Sequence, residues 1–379
     1  MRRSTRYRFP ERPADFQWLE NGIALKETLH TIDPTILKSG SEVTDRQYAL
    51  FRAYFPRIMK PKIEFKDFLK NELKLENAKA LAVMILSGCK AYANMLQVVG
   101  AGLKDVDNLD HHSIDSPYHW IPFLQFLQDI AITKFQKNKL EDPSHDRKRA
   151  LSPSRNAQGS MASKRQRPSM TQSESSGQAA GAIPNTIPQM TVNAQEYPIC
   201  ADESIVNADC LLLLKALASM IKDNPSKWAL MRLDFEARFD DKRSFKAMTD
   251  GVLYARDAMV AQAIVEVKPE IRGKILKKLQ MQEAAEIVAW FKNSDEHLLP
   301  DLNGYRFALS LQRHQAHLLF ARPVGDYRGY INGTSKGGYL CIQVCGPWDI
   351  TDKESLKKLC ELLLAIMIQG ARAAGLNVF

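Results

Sequence analysis

The chain reads as an α/β (α+β) protein preceded by a mainly helical region, and three observations carry that reading. From about residue 197 onward, short β-branched or aromatic runs alternate with apolar runs at helical spacing. Residues 14–136 repeat apolar residues at helical spacing throughout. Between them, residues 137–196 are rich in Ser, Gln, Ala, Pro and Gly and nearly free of bulky apolar side chains. Such a stretch cannot bury enough surface to fold. The expected divisions are a helical N-terminal region (14–136), a disordered basic linker (137–196) and an α/β domain (197–379).

At 379 residues the chain holds two domains, or one large domain with a tail. Hydrophobic content of 45% and charged content of 25% are ordinary for a soluble globular protein. A formal charge of +9 points to a polyanionic partner without bearing on the fold. No run of about 18 apolar residues occurs, so no membrane span is expected. The basic N-terminus lacks the apolar core of a secretory signal, and Glu11, Asp15 and Glu20 come too early for a mitochondrial presequence. Cys89, Cys200, Cys210, Cys341, Cys345 and Cys360 show no zinc spacing and read as reduced, mostly core thiols of an intracellular protein.

Within the N-terminal region, Phe16, Trp18, Leu19, Ile23 and Leu25 predict one helix and residues 48–55 another. Residues 78–99 predict a single longer helix, and 121–130 a further one with Pro122 in its first turn. His111, His112 and His119 lack carboxylate or thiol companions and read as a loop rather than a metal site. The region is either a separate module that recruits an unidentified protein partner or a helical wrapping of the core. In the linker, Arg147-Lys148-Arg149 and Lys164-Arg165-Gln166-Arg167 form two basic clusters across a short spacer. This is the pattern of a bipartite nuclear import signal, so a nuclear location and an import receptor are expected. A solvated charge cluster or a nucleic-acid arm is the alternative. Ser152-Pro153 between the clusters would blunt their charge if phosphorylated.

Farther on, Asp209 is placed to cap a helix reaching Met220, and 230–239 alternates like a half-exposed strand. Strands over 249–254 and 263–269 follow, then a long helix over 270–292. Residues 305–311 and 316–321 read as paired strands about a turn, with His314 and His317 expected at the surface. Residues 339–344 form another strand, closed by Gly346-Pro347-Trp348. A last helix spans 352–374, started by Thr351/Asp352 with Glu354.

The chemistry concentrates on two of these strands. Ile264, Glu266 and Lys268 share one face of their strand while Val265 and Val267 take the other. A hairpin brings Asp250 beside Glu266. Two carboxylates in an apolar setting repel, and a hard divalent cation relieves that repulsion. Such an ion polarises a phosphate and acidifies a water, with Lys268 orienting that water. An ordinary surface ion pair is the alternative; charges that interrupt an apolar run favour a site. On the long helix, Lys274, Lys277 and Lys278 lie within a turn, and Lys278, Gln282 and Glu286 stack at i, i+4 and i+8. Those lysines suit phosphates of a crossing nucleic-acid strand, or a merely solvated face.

Asp250, Glu266-Val267-Lys268 and a helix bearing Gln282-Glu283 together resemble the PD-(D/E)XK phosphodiesterase superfamily. Residues 281–290, 309–314, 326–330 and 346–348 are similar to a fungal nuclease-like group within it, and the resemblance covers about 205–375. It implies a mixed central sheet flanked by helices, a restriction-endonuclease-like core. It also implies Mg²⁺ (or Mn²⁺) on Asp250 and Glu266, Lys268 near the attacking water and Gln282 facing the metal. Glu286 stands where some relatives carry an aromatic residue, and Asp234 and Glu236 are candidates for an acidic residue of a preceding helix. The expected function is metal-dependent hydrolysis of phosphodiester bonds in nucleic acid, DNA foremost. The alternative is an inactive nuclease-fold platform for protein or nucleic acid.

Overall fold

Strand alternation over residues 260–268 sends Ala263, Val265 and Val267 to one side and Ile264 to the other, and two apolar layers form on that division. The computed structural model describes residues 9–16, 27–103, 106, 119–132, 202–293 and 299–376. Its strands are β1 (Ala53–Tyr54), β2 (Ser226–Ala229), β3 (Asp234–Arg238), β4 (Ser244–Met248), β5 (Gly251–Ala255), β6 (Val260–Lys268), β7 (Arg306–Gln312), β8 (Gln315–Val324) and β9 (Tyr339–Asp349). Its α-helices are α1 (Asp45–Phe51), α2 (Ile63–Asp67), α3 (Glu76–Ser87), α4 (Lys90–Gly100), α5 (Trp120–Ile132), α6 (Glu203–Ser219), α7 (Arg272–Asn293), α8 (Tyr327–Asn332) and α9 (Lys353–Ala373).

Seven strands make a mixed sheet in the order β1-β9-β8-β7-β6-β5-β2, with β3 and β4 forming a separate hairpin. The β6–β7 and β1–β9 pairs are parallel and the others antiparallel. Parallel neighbours need a crossover connection, which α7 provides between β6 and β7. On one face, α3, α4, α5, α6 and α9 bury Leu253, Val265, Phe307 and Leu318. On the other, α7, α1, α8 and the β3–β4 hairpin cover Val252, Ile264, Ala308 and Leu319. Each fully buried side chain of this kind contributes about 1.5–3 kcal/mol.

The N-terminal helices wrap the core. Helix α5 packs on α6, α3 and α4 pack on α9, and β1 extends the sheet beside β9. The hydroxyls of Tyr327 and Tyr330 donate to the carbonyls of Phe51 (2.9 Å) and Leu50 (2.7 Å). These are among the last carbonyls of α1, which the helix itself leaves open. Among the described residues no single helix is long and apolar enough to cross a membrane. Cys89, Cys210, Cys341, Cys345 and Cys360 are free thiols. Both basic clusters of the linker, Cys200, His111, His112 and the helix expected through Trp18 to Leu25 lie outside the described residues.

Several local expectations are corrected. The helix expected over 78–99 is two helices bent by 84°. Gly88 ends α3, and Cys89 caps α4 by accepting from the Tyr92 N–H. Helix α1 stops at Phe51 because Arg52 turns left-handed (φ 50°), and β1 follows. Asp209 caps nothing: α6 starts at Glu203 behind Asp202, which accepts from the Ser204 N–H. Asp209 lies fully buried inside α6, and burial pushes its carboxyl well above the usual range. The strand at 230–239 shortens to β3 and leaves the main sheet. Strand β9 runs on through Gly346-Pro347-Trp348 to Asp349. The register shifts there, with Ala316 opposite Trp348 and Leu318 opposite Cys345; at such a bulge a proline costs no ladder bond. His314 and His317 are buried, because the turn between β7 and β8 is covered rather than solvated.

Candidate functional site

Where β5 begins, Gly251 pairs with Val265, and the Asp250 N–H donates to the Val265 carbonyl at 2.9 Å. One residue beyond the strand, the Asp250 carboxylate takes over the ladder: its Oδ2 accepts from the Val267 N–H at 2.9 Å. Asp250 is thereby fixed beside Glu266 on the face that α7 covers. Its other oxygen lies 3.9 Å from the Arg232 guanidinium.

Glu266 is almost fully buried. Its Oε1 meets the Lys268 ammonium and accepts from Gln282 Nε2 at 2.6 Å. Gln282 also donates to Glu286 Oε1 at 3.0 Å, so one amide on α7 holds two glutamates. Glu286 is buried too, and it hydrogen-bonds Glu266, which requires that one of the two carboxyls carry a proton. Glu266 Oε2 is otherwise without a partner among the described residues. Lys268 also approaches Glu203 of α6, at 3.5 Å.

Burial, then the charges of Glu286 and Asp250, push the Glu266 carboxyl well above the usual range against the pull of Lys268. Burial likewise pushes Glu286 up to about 8. Two adjoining carboxyls out of water cannot both ionise cheaply. Burial disfavours the Lys268 ammonium, but the charge and hydrogen bond of Glu266 outweigh it and hold Lys268 above the ordinary lysine value. The pair has a pH consequence whose sign is fixed. Between an unfolded pKa of about 4.3 and the raised folded value, the folded state keeps a proton that the unfolded chain releases, so stability falls as pH rises. Metal-free protein should lose roughly 5 °C in Tm between pH 6 and pH 8.5. Glu286→Gln should flatten that fall; an equal fall in the variant would assign it to other groups.

Asp250, Lys268 and Gln282, with Glu203, Arg232 and Lys278, line a cleft of about 670 Å³. Ser39, Gly40 and Ser41 wall one side. Gly40 is squeezed between β4 and α7, where a Cβ would meet Ala247 Cβ at 3.0 Å. Of the lysines expected on nucleic acid, Lys278 lines this cleft and the adjoining one, whereas Lys277 is ion-paired to Asp45 at 2.6 Å. Lys274 is exposed and lines neither. Asp234 and Glu236 sit on β3 rather than a helix and pair with Lys246 and Arg238. The acidic residue that a preceding helix does bring in is Glu203, signalled in sequence only by Asp202-Glu203 ahead of an apolar run. Another cavity, of about 630 Å³, opens near Lys215, Lys227 and Arg256 and contains none of this chemistry.

Among the described residues, no three His, Cys, Asp or Glu side chains converge as a self-sufficient metal cage. Asp250 and Glu266 nonetheless fit a magnesium-type ion, which binds through one or two carboxylates and leaves its other positions to water and substrate phosphate. Glu266 Oε2, buried and with no hydrogen-bond donor in the hydrogen-bond network among the described residues, is the oxygen such an ion would take. No family model, curated protein or solved structure matches the chain.

Proposed function

We propose that the protein is a metal-dependent phosphodiesterase acting on nucleic acid, DNA foremost, within the PD-(D/E)XK superfamily. The observation that carries this reading is Glu266: a buried glutamate bonded to Lys268 and Gln282, two residues that line a cleft with Asp250, in the company of a second buried glutamate, Glu286. Packing alone gives no reason for three carboxyls and a lysine in so small a space, because each desolvated charge is costly. Asp250 and Glu266 would hold Mg²⁺ or Mn²⁺. The ion, when bound, would polarise a phosphate and acidify a water. Gln282 holds the Glu266 and Glu286 carboxyls through one amide, and Glu286 retains the proton that Glu266 gives up. Lys268 places positive charge where the phosphate gains negative charge during displacement, the kind of preorganised contact that stabilises a transition state. In this reading the two basic clusters, Arg147–Arg149 and Lys164–Arg167, carry the protein to the nucleus through an import receptor.

The test is calorimetric titration of Mg²⁺ and Mn²⁺ into wild type and into Asp250→Ala with Glu266→Ala, with a labelled-DNA cleavage assay on the same samples. Binding and cleavage present in wild type and absent in the variant support the phosphodiesterase. Wild-type protein that takes up no metal sinks it. The rival is an inactive platform built on the same scaffold, favoured by the lack of a third converging ligand among the described residues. Metal uptake without cleavage of any DNA would select it.

A further inference from the structure

The charge lining the cleft is balanced rather than basic. Lys246 is committed to Asp234 at 2.9 Å, Lys268 to Glu266 and Lys277 to Asp45. Two cations are left to meet a ligand there. Among the described residues Arg232 is held only by Asp250 at 3.9 Å and stays largely exposed, and Lys278 is exposed where the two cavities meet. Those cavities, of about 670 and 470 Å³, share Gly40, Ser41 and Lys278 and so form one groove. Its rim is apolar. Met248 lines the groove beside Lys246 and is 52% exposed. The connection that delivers Arg232 exposes Leu230 (50%) and Met231 (38%).

A duplex presents phosphates and groove edges, and proteins that hold one neutralise many phosphates, about six to ten. An unpaired strand presents base faces as well, on which apolar and sulfur-bearing side chains pack. Two open cations and one exposed thioether in the groove, with Leu230 and Met231 exposed next to Arg232 in the chain, match the second ligand and not the first. Resting on the phosphodiesterase reading, we infer that the groove takes a single strand of nucleic acid, or the unpaired end of a longer one. Arg232 and Lys278 hold two phosphates, and Met248 packs on a base between them. Neither contact reads the sugar hydroxyl, so DNA and RNA strands are held alike.

The test uses the full chain with Ca²⁺ in place of Mg²⁺ and fluorescence anisotropy on a labelled 12-nucleotide DNA strand, its RNA counterpart and the blunt DNA duplex. Single strands should bind at least tenfold tighter than the duplex. The slope of log K against log salt should lie near −1.4, the value for about two phosphates on a single strand. Lys278→Ala should make that slope shallower by about 0.7. Met248→Ser should weaken strand binding about tenfold and leave Mg²⁺ affinity by calorimetry unchanged. A duplex that binds as tightly as the strand overturns the inference. So does a slope steeper than about −4, or a Met248→Ser variant that binds as wild type. If no nucleic acid binds, the inference also fails, and Mg²⁺ uptake and its loss in the Asp250/Glu266 variant then judge the phosphodiesterase reading separately.

Discussion

Replacing Arg272 by alanine should destabilise the protein by about 3–5 kcal/mol, the usual loss when one partner of a buried ion pair is removed. Arg272 and Glu283 face each other at the two ends of a closed bidentate pair, both contacts at 2.6 Å and both side chains nearly inaccessible. Ser310 Oγ donates to the same Glu283 oxygen at 2.6 Å, and Gln312 in turn donates to Ser310. Burial, and next to it the Arg272 charge, hold the neighbouring His317 well below the usual histidine range, so that ring stays neutral. Without Arg272 the Glu283 carboxylate is left buried with a hydroxyl for company. A denaturation midpoint converted to ΔG measures the loss. Arg272→Met combined with Glu283→Leu should recover most of it, because paired apolar replacements remove the uncompensated charge. A loss below about 1 kcal/mol for Arg272→Ala would show that water reaches the pair and shares its charge.

Lys268→Met should lower single-turnover cleavage at saturating Mg²⁺ by about 10²–10³-fold, or about 2.7–4 kcal/mol of barrier. The variant keeps the length and apolar stem of lysine and removes only its charge. Affinity for a DNA strand should change less than about threefold, since the Lys268 ammonium is already committed to Glu266 and Glu203. Unaltered cleavage in Lys268→Met would reduce Lys268 to a structural counter-ion for Glu266.

The parts of this architecture that depend on local periodicity could be read from the sequence. Period-two alternation placed Glu266 and Lys268 on one face and Val265 and Val267 on the other, and the structure has that division, with Asp250 beside Glu266. The i, i+4, i+8 spacing placed Gln282 and Glu286 on one helical stripe, and Gln282 bonds Glu286. Illegible were the features set by which surfaces meet. Glu286 and Glu266 become neighbours because α7 lies across β6, and spacing within 270–292 does not say which strand residue the Gln282–Glu286 stripe meets. The Arg272–Glu283–Ser310 network likewise joins α7 to β7. Its trace in the sequence is Ser310 and Gln312, polar at alternate positions of a buried strand and in register with Glu266 and Lys268. The buried His317 escaped because turn-flanking histidines are ordinarily solvated. The break at Gly88 was written in plain Gly, but apolar residues on both sides of it kept helical spacing.

The wrapping of the core by the N-terminal helices bears on how the protein is made. Helices α3 and α4 find their packing partner in α9, and β1 finds its strand partner in β9, both near the end of the chain. A ribosome adding about 5–20 residues per second needs on the order of 13–54 s to travel the roughly 270 residues between α3 and α9. For that interval the faces that α3 and α4 turn to α9, and the edge that β1 turns to β9, lack their partners. The N-terminal helices therefore complete their packing only after a strand and a helix hundreds of residues later have been translated.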